Sequence, residues 1–222
     1  MFSGFTKETI DFMWAIRFNN EKSWFEAHKD EYKAHLEAPM RELAHTVYEG
    51  FSVDNPDSAL KLHISRIYRD ARRLHGQGPY KDHLWFTLRS SSDNWTCKPC
   101  FWFELAPESW SYGLGYYCAG ADTMAALRAQ IDKNPRPLKK LDSLLSAQDE
   151  FDIQGEDYAR PKCAPEHPLF RWYNKKGFSL IHEEEINDSV FSPALPERII
   201  KGFSVLTPFY DYLSALDNTE AE

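Results

Sequence analysis

The sequence predicts an α+β fold: an antiparallel sheet in the middle of the chain, packed by N- and C-terminal helices. Three observations carry this. Apolar residues recur every three or four positions up to Val47 and again from Met124 onward, which is helical spacing. Between Leu60 and Ala119 the pattern changes to alternation and aromatic runs. Most of those runs are joined by connections short enough for antiparallel neighbours.

In chain order, Thr6 is placed to cap a first helix, with Glu8 in its first turn and Ile10, Met13, Trp14 and Arg17 at helical spacing. Asn19-Asn20 interrupts, and Asn20 is placed to cap a second. There Trp24, His28, Tyr32, Leu36, Met40, Leu43 and Val47 mark one face of a long amphipathic helix, kinked or split at Pro39. Phe51 to Pro56 reads as loop. Leu60 to Tyr68 alternates, with Leu62, Ile64, Arg66 and Tyr68 on one face and His63, Ser65 and Ile67 on the other. Further strands are expected at His83 to Arg89, Cys100 to Leu105 and Ser109 to Ala119. Gly113 and Gly115 in the last mark a bulge or a close backbone approach. Asp122 then caps a helix over Thr123 to Ile131, and Asn134-Pro135 starts another whose stripe is Leu138, Leu141, Leu144 and Leu145. Residues 149–168 read as mostly loop, and Phe178 to Ile186 as strand. Ser192-Pro193 opens a C-terminal helix bearing Leu195, Ile199, Phe203 and Leu206, kinked at Pro208.

The 222 residues are expected to form a single domain over 1–215 with a solvated tail at 216–222. A hydrophobic fraction of 42 % and an aromatic fraction of 15 % supply a core without disulfides or metal. The formal net charge of −8 argues against non-specific nucleic-acid binding, which needs a basic surface. No apolar run is long enough to span a bilayer, and the opening MFSGFTKETIDF lacks the pattern of a signal peptide, so no membrane partner and a cytoplasmic location are expected. Cys97 and Cys100 form a CxxC without the second tight pair of a zinc ribbon or the following helix of a redox site, and no metal site is expected. No Walker loop, GxSxG, GxGxxG or HExxH is found, and no cofactor is indicated.

The stretch 66–83, RIYRDARRLHGQGPYKDH, is unusual in an acidic chain. It holds five Arg or Lys, two His and two Asp between two predicted strands. If those strands pair as a hairpin, Arg66 and Arg69 come close to Tyr80 and Lys81. An Arg fork binds carboxylate or phosphate, Lys adds a point charge and Tyr a directional hydroxyl. Arg66, Arg69, Arg72, Tyr80 and Lys81 are therefore candidate contacts to an anion, with Asp70 as the candidate catalytic base or as the orienter of an Arg. Asn19, at the start of the second helix, is a further candidate for the same pocket. The plainer alternative is that Arg–Asp pairs tie a long loop to the sheet while Lys81-Asp82 is solvated. Trp95, Trp102 and Trp110 are placed to stack a base or a sugar, with at least two of them expected in ordinary packing.

Taken together, Phe2-Ser3-Gly4-Phe5, Asn19-Asn20 followed by Trp24-Phe25, Tyr32 and Pro39 form a recognisable opening. Arg66-Ile67, Arg69-Asp70, Arg72 and Pro79-Tyr80-Lys81 form the distinctive centre. Gly120, Leu127-Arg128, Ile131, Pro161-Lys162 and His167-Pro168 follow. In this order the motifs resemble the domain of unknown function 2461 family. Two departures stand out: Arg73 where the family pattern has Phe, and Gly76-Gln77 where it has Asp-Lys. The resemblance implies a single cytosolic domain and supplies no activity. The leading reading is a protein that binds a small anionic ligand, a phosphorylated metabolite or a nucleotide, at this loop. The alternatives are a non-catalytic protein-interaction module and a nucleic-acid-acting protein; a metal hydrolase is the weakest reading.

Overall fold

A computed structural model describes residues 2–70, 72, 76 and 78–216. The first helix, α1 (Lys7–Phe18), starts at the N-cap Thr6, and Thr9 Oγ1 accepts from the Thr6 N–H at 3.1 Å. Its buried side is Thr9, Phe12, Met13 and Ile16. The predicted long helix is broken into α2 (Lys22–Ala27), α3 (Lys29–Glu31), a π-helical stretch (Tyr32–Glu37) and α4 (Ala38–Asp54). Pro39 explains part of this, because it has no N–H to give to the carbonyl four residues back. That carbonyl belongs to His35, and it accepts instead from the hydroxyl of the fully buried Thr9, at 2.6 Å. A tertiary bond from α1 thus replaces the missing helical one. Helix α4 runs on to Asp54, through the segment expected as loop, because Phe51 is buried and packs on Phe101 with ring centroids 5.0 Å apart.

The strands are β1 (Lys61–Ile64), β2 (Leu84–Arg89), β3 (Pro99–Leu105), β4 (Ser109–Tyr116), β5 (Asp152–Gln154) and β6 (Ser179–Glu185). They form one antiparallel sheet in the order β1-β2-β3-β4-β6-β5. Strand β5 lies inside the segment expected as loop; at three residues it is too short to show a period. Gly113 and Gly115 answer to a close approach: a Cβ on Gly113 would sit 2.0 Å from the Leu180 carbonyl oxygen of β6.

The register gives the sheet two different faces. One row runs Ile64, Phe86, Phe103, Tyr112 and His182. On this face lie α4 and α9 (Leu195–Leu216), with the rings of Phe101 and Phe203 4.9 Å apart. The next row runs His63, Thr87, Trp102, Gly113 and Ile181, and belongs to the opposite face. Helices α5 (Ala121–Lys133), α6 (Arg136–Ser146) and α7 (Phe170–Tyr173) pack around the C-terminal helix, with α8 (Asp188–Phe191) preceding it. Leu144 is 48 % exposed, whereas Leu138, Leu141 and Leu145 carry the α6 core contact. Helix α9 continues through the buried Leu216, and residues 217–222 of the expected tail lie outside the described residues. Among the described residues no helix is long and apolar enough to cross a membrane.

Candidate functional site

Strand β1 stops at Ile64 because a side chain takes over its pairing. The Ser65 N–H still donates to the Trp85 carbonyl at 2.8 Å, but the Trp85 N–H donates to Ser65 Oγ at 3.0 Å instead of to backbone. The chain bends, and the inward position changes parity: Ile67 is buried, while Arg66 and Tyr68 point outward. The predicted grouping of Arg66 and Tyr68 with Leu62 and Ile64 is therefore replaced by a one-residue shift.

Beyond the bend the two arms of the loop do meet. The Arg69 N–H donates to the Pro79 carbonyl at 2.8 Å, the Lys81 N–H donates to the Ile67 carbonyl at 2.7 Å, and Tyr68 pairs with Tyr80 in an isolated bridge. Asn20 fixes this bridge from outside. Its Oδ1 accepts from the Tyr80 N–H and its Nδ2 donates to the Tyr80 carbonyl, each at 2.9 Å. One amide side chain thus plays the part of a neighbouring strand. Gly78 is required beside it, since a Cβ there would lie 2.2 Å from Asn20 Oδ1. Asn20→Ala is expected to cost about 1–2 kcal/mol, the penalty for a part-buried N–H left without its acceptor. Urea melts of the variant and the parent protein measure it.

The arms enclose a cleft of about 800 Å3 whose lining includes Arg66, Arg69, Asp70, Arg72, Lys81, His63, His83, Trp85, Glu104 and Tyr117. Five of the seven sequence-predicted residues are thus brought together. The other two are placed elsewhere. The Tyr80 ring is buried and stacked on Phe25 with centroids 4.2 Å apart. Asn19 donates its side-chain amide to the Ala15 carbonyl at 2.9 Å, closing the end of α1, and the N-cap of α2 is Glu21. Ala71, Arg73, Leu74, His75 and Gln77 lie outside the described residues, and with them the departure at Arg73 and half of that at Gly76-Gln77.

The cations are not equivalent. Arg69 is committed to the frame, donating through Nε to the Tyr80 carbonyl at 2.8 Å with Nη2 3.8 Å from Asp82. Arg72 is held by Asp70, whose carboxylate accepts from Arg72 Nε at 3.1 Å and Nη2 at 2.8 Å. Lys81 is different. It is half-buried, its ammonium stands 5.4 Å from the centre of the Trp85 ring, and among the described residues it makes no ion pair. Burial, together with the charges of Arg69 and Arg66 and against that of Glu104, brings the Lys81 pKa down to about 8. His63 is likewise held below its usual value by burial and by Arg89, Lys81 and Arg66.

Asp82, next in sequence, is not solvated but forms the anchor beneath the cleft. It accepts from Arg17 Nε at 2.5 Å and lies 2.9 Å from His83 Nδ1. Arg17 bridges onward to both carboxylate oxygens of Glu108. Burial works to raise the Asp82 pKa, but the bonds from His83 and Arg17 outweigh it and hold the carboxyl below its usual range. Arg17 carries no mark of this role in the sequence, because it sits at a helical-stripe position where a long-range charge partner leaves no periodic signal.

A second cleft of about 280 Å3 continues from the first along the same sheet face. Trp85, Glu104 and Tyr117 line both. Trp95 and Trp102 line the second, while Trp110 is fully buried on the helix-packed face. Of the three tryptophans singled out, Trp110 is core, and Trp102 packs on the opposite sheet face. Cys100 also lines this cleft, and burial pushes its thiol up to about 12, which leaves it unreactive as a nucleophile. A separate polar cluster ties α9 to β6, with Arg198 donating to Glu184 at 2.7 Å and His182 Nε2 2.8 Å from Glu184. Its members are paired with one another, and it reads as a strut.

The fold and cleft define a class: an α+β protein with helices on one face of an antiparallel sheet and a cation-lined, tryptophan-floored groove on the other. The chain belongs to the family described as Conserved hypothetical protein (DUF2461), whose model matches residues 8–212. The function of that family is unknown. No curated protein matches the chain.

Proposed function

We propose that this protein binds a small anionic ligand, a phosphorylated metabolite or a nucleotide, in the groove lined by Arg66, Arg69, Arg72 and Lys81. The observation that carries the reading is Lys81: a half-buried ammonium beside two guanidinium groups, without an ion pair among the described residues. Like charges gathered in a cleft at a cost to stability are a physical marker of a functional site. The net charge of −8 sharpens the point, because an acidic surface does not attract anions unless a local field reverses it. In this reading Arg66, Arg72 and Lys81 face the ligand, Arg69 and Asp70 hold the geometry, and Tyr80 acts through its backbone.

Thermal-shift titration with inorganic phosphate, phosphorylated sugars, nucleotides and dicarboxylates tests it. Saturable stabilisation by a phosphorylated ligand, weakened by added salt and reduced in Arg66→Ala, is expected. Affinity should also fall as the pH rises through about 8, where Lys81 loses its charge. A flat response to every anion would leave the basic cluster without a ligand and favour the protein-interaction alternative.

A further inference from the structure

The aromatic cleft beside Lys81 has two features that anion binding does not use. Its walls are large rings. Trp85 and Trp102 lie on adjacent strands, and Trp95 is held by Arg89, whose guanidinium carbon is 3.6 Å from the ring centre, and by Tyr117, with ring centroids 5.5 Å apart. A tryptophan clamped in this way is a preformed platform, since its orientation is set before any ligand arrives. The second feature is Thr87. It is 5 % exposed, lines this cleft, and its hydroxyl oxygen has no hydrogen-bond partner among the described residues. An unpaired buried hydroxyl costs stability, and a site that supplies its partner recovers that cost.

Size sorts the two compartments. About 280 Å3 is below the usual range for an entire small-molecule site and suits one ring system, whereas about 800 Å3 holds a larger, charged portion. Because Trp85, Glu104 and Tyr117 border both, a single ligand can occupy the pair. We propose that the ligand is a nucleoside phosphate, its base between the tryptophans and against Thr87, its phosphate among Arg66, Arg72 and Lys81. This rests on the anion-binding reading and narrows its ligand class to one with a planar, hydrogen-bonding ring.

The test measures affinities for the four ribonucleoside 5′-monophosphates, for ribose 5-phosphate and for inorganic phosphate by calorimetry, with tryptophan fluorescence in parallel. Stacking and one hydrogen bond should make at least one nucleotide bind about tenfold or more tighter than ribose 5-phosphate. That nucleotide should quench fluorescence. Trp102→Ala and the isosteric Thr87→Val should lose the preference while keeping their affinity for ribose 5-phosphate, which also shows that they are folded. Nucleotides that bind no tighter than ribose 5-phosphate, or a preference that survives both substitutions, would overturn the nucleoside assignment and leave the anion site standing. Failure of all six compounds to bind would bring down both readings.

Discussion

Lys81→Met is expected to weaken phosphate binding by roughly 10–100-fold and, at the same time, to raise the melting temperature at pH 7. The first effect is the loss of a charge-assisted contact to the ligand, worth about 1.5–3 kcal/mol. The second follows from linkage. Burial and the neighbouring Arg69 and Arg66 lower the folded-state pKa of Lys81 from 10.5 to about 8, so the folded protein holds this proton less tightly than the unfolded chain does. Below pH 8 the charged Lys81 is a constant burden on the folded state. As the pH rises from about 8 to 10.5, the unfolded chain keeps the proton longer, and stability rises. Methionine has a similar length without the charge and should remove both the burden and this rise. Denaturant melts from pH 7 to 10.5, paired with phosphate titrations, check both halves. Lys81→Arg supplies the control, as a residue charged throughout that range should lack the rise and retain anion affinity. A frame residue would behave in the opposite way: its loss would destabilise the protein and leave ligand affinity unchanged.

How far the sequence reveals this arrangement depends on the kind of signal each residue carries. Helical stripes such as Leu195, Ile199, Phe203 and Leu206 repeat over many turns, and all four are buried in α9. Strand β5 and the extension of α4 to Asp54 are decided by tertiary contact, and a few residues carry no period that could announce them. The cation cluster was visible because five Arg or Lys crowd into eighteen positions of an acidic chain. The roles within it were not. Asn19 and Asn20 are alike as letters, yet Asn20 reaches across to Tyr80 while Asn19 turns back onto α1. Tyr80 offers a phenol in sequence, but its stacking on Phe25 holds the ring in the core. Trp85 sits in a strand that reads as ordinary packing until the register shows that its face is the one opposite α4 and α9.

Asp82 is the case in which a local reading fails most and the structural consequence is largest. Its side chain is only 16 % exposed and stands between Arg17, His83 and Arg69, contributed by three separate parts of the chain. Asp82→Asn is expected to destabilise the protein by about 2–3 kcal/mol, somewhat less than for a fully buried pair because Arg17 is 31 % exposed and keeps Glu108. The folded-state pKa of Asp82 lies below its ordinary value of 3.8, so its contribution is fully present above that pH and is lost as the pH falls through the folded-state value. The gap between Asp82→Asn and the parent protein should therefore stay constant from neutrality down to about pH 4 and close only in stronger acid. The same substitution should loosen Arg69, which would then rely on the Tyr80 carbonyl alone, and phosphate affinity should drop although Asp82 does not line the cleft. A variant as stable as the parent at pH 7 would show that the Arg17–Asp82–Arg69 chain is a surface ornament, and the rigidity of the groove would need another source.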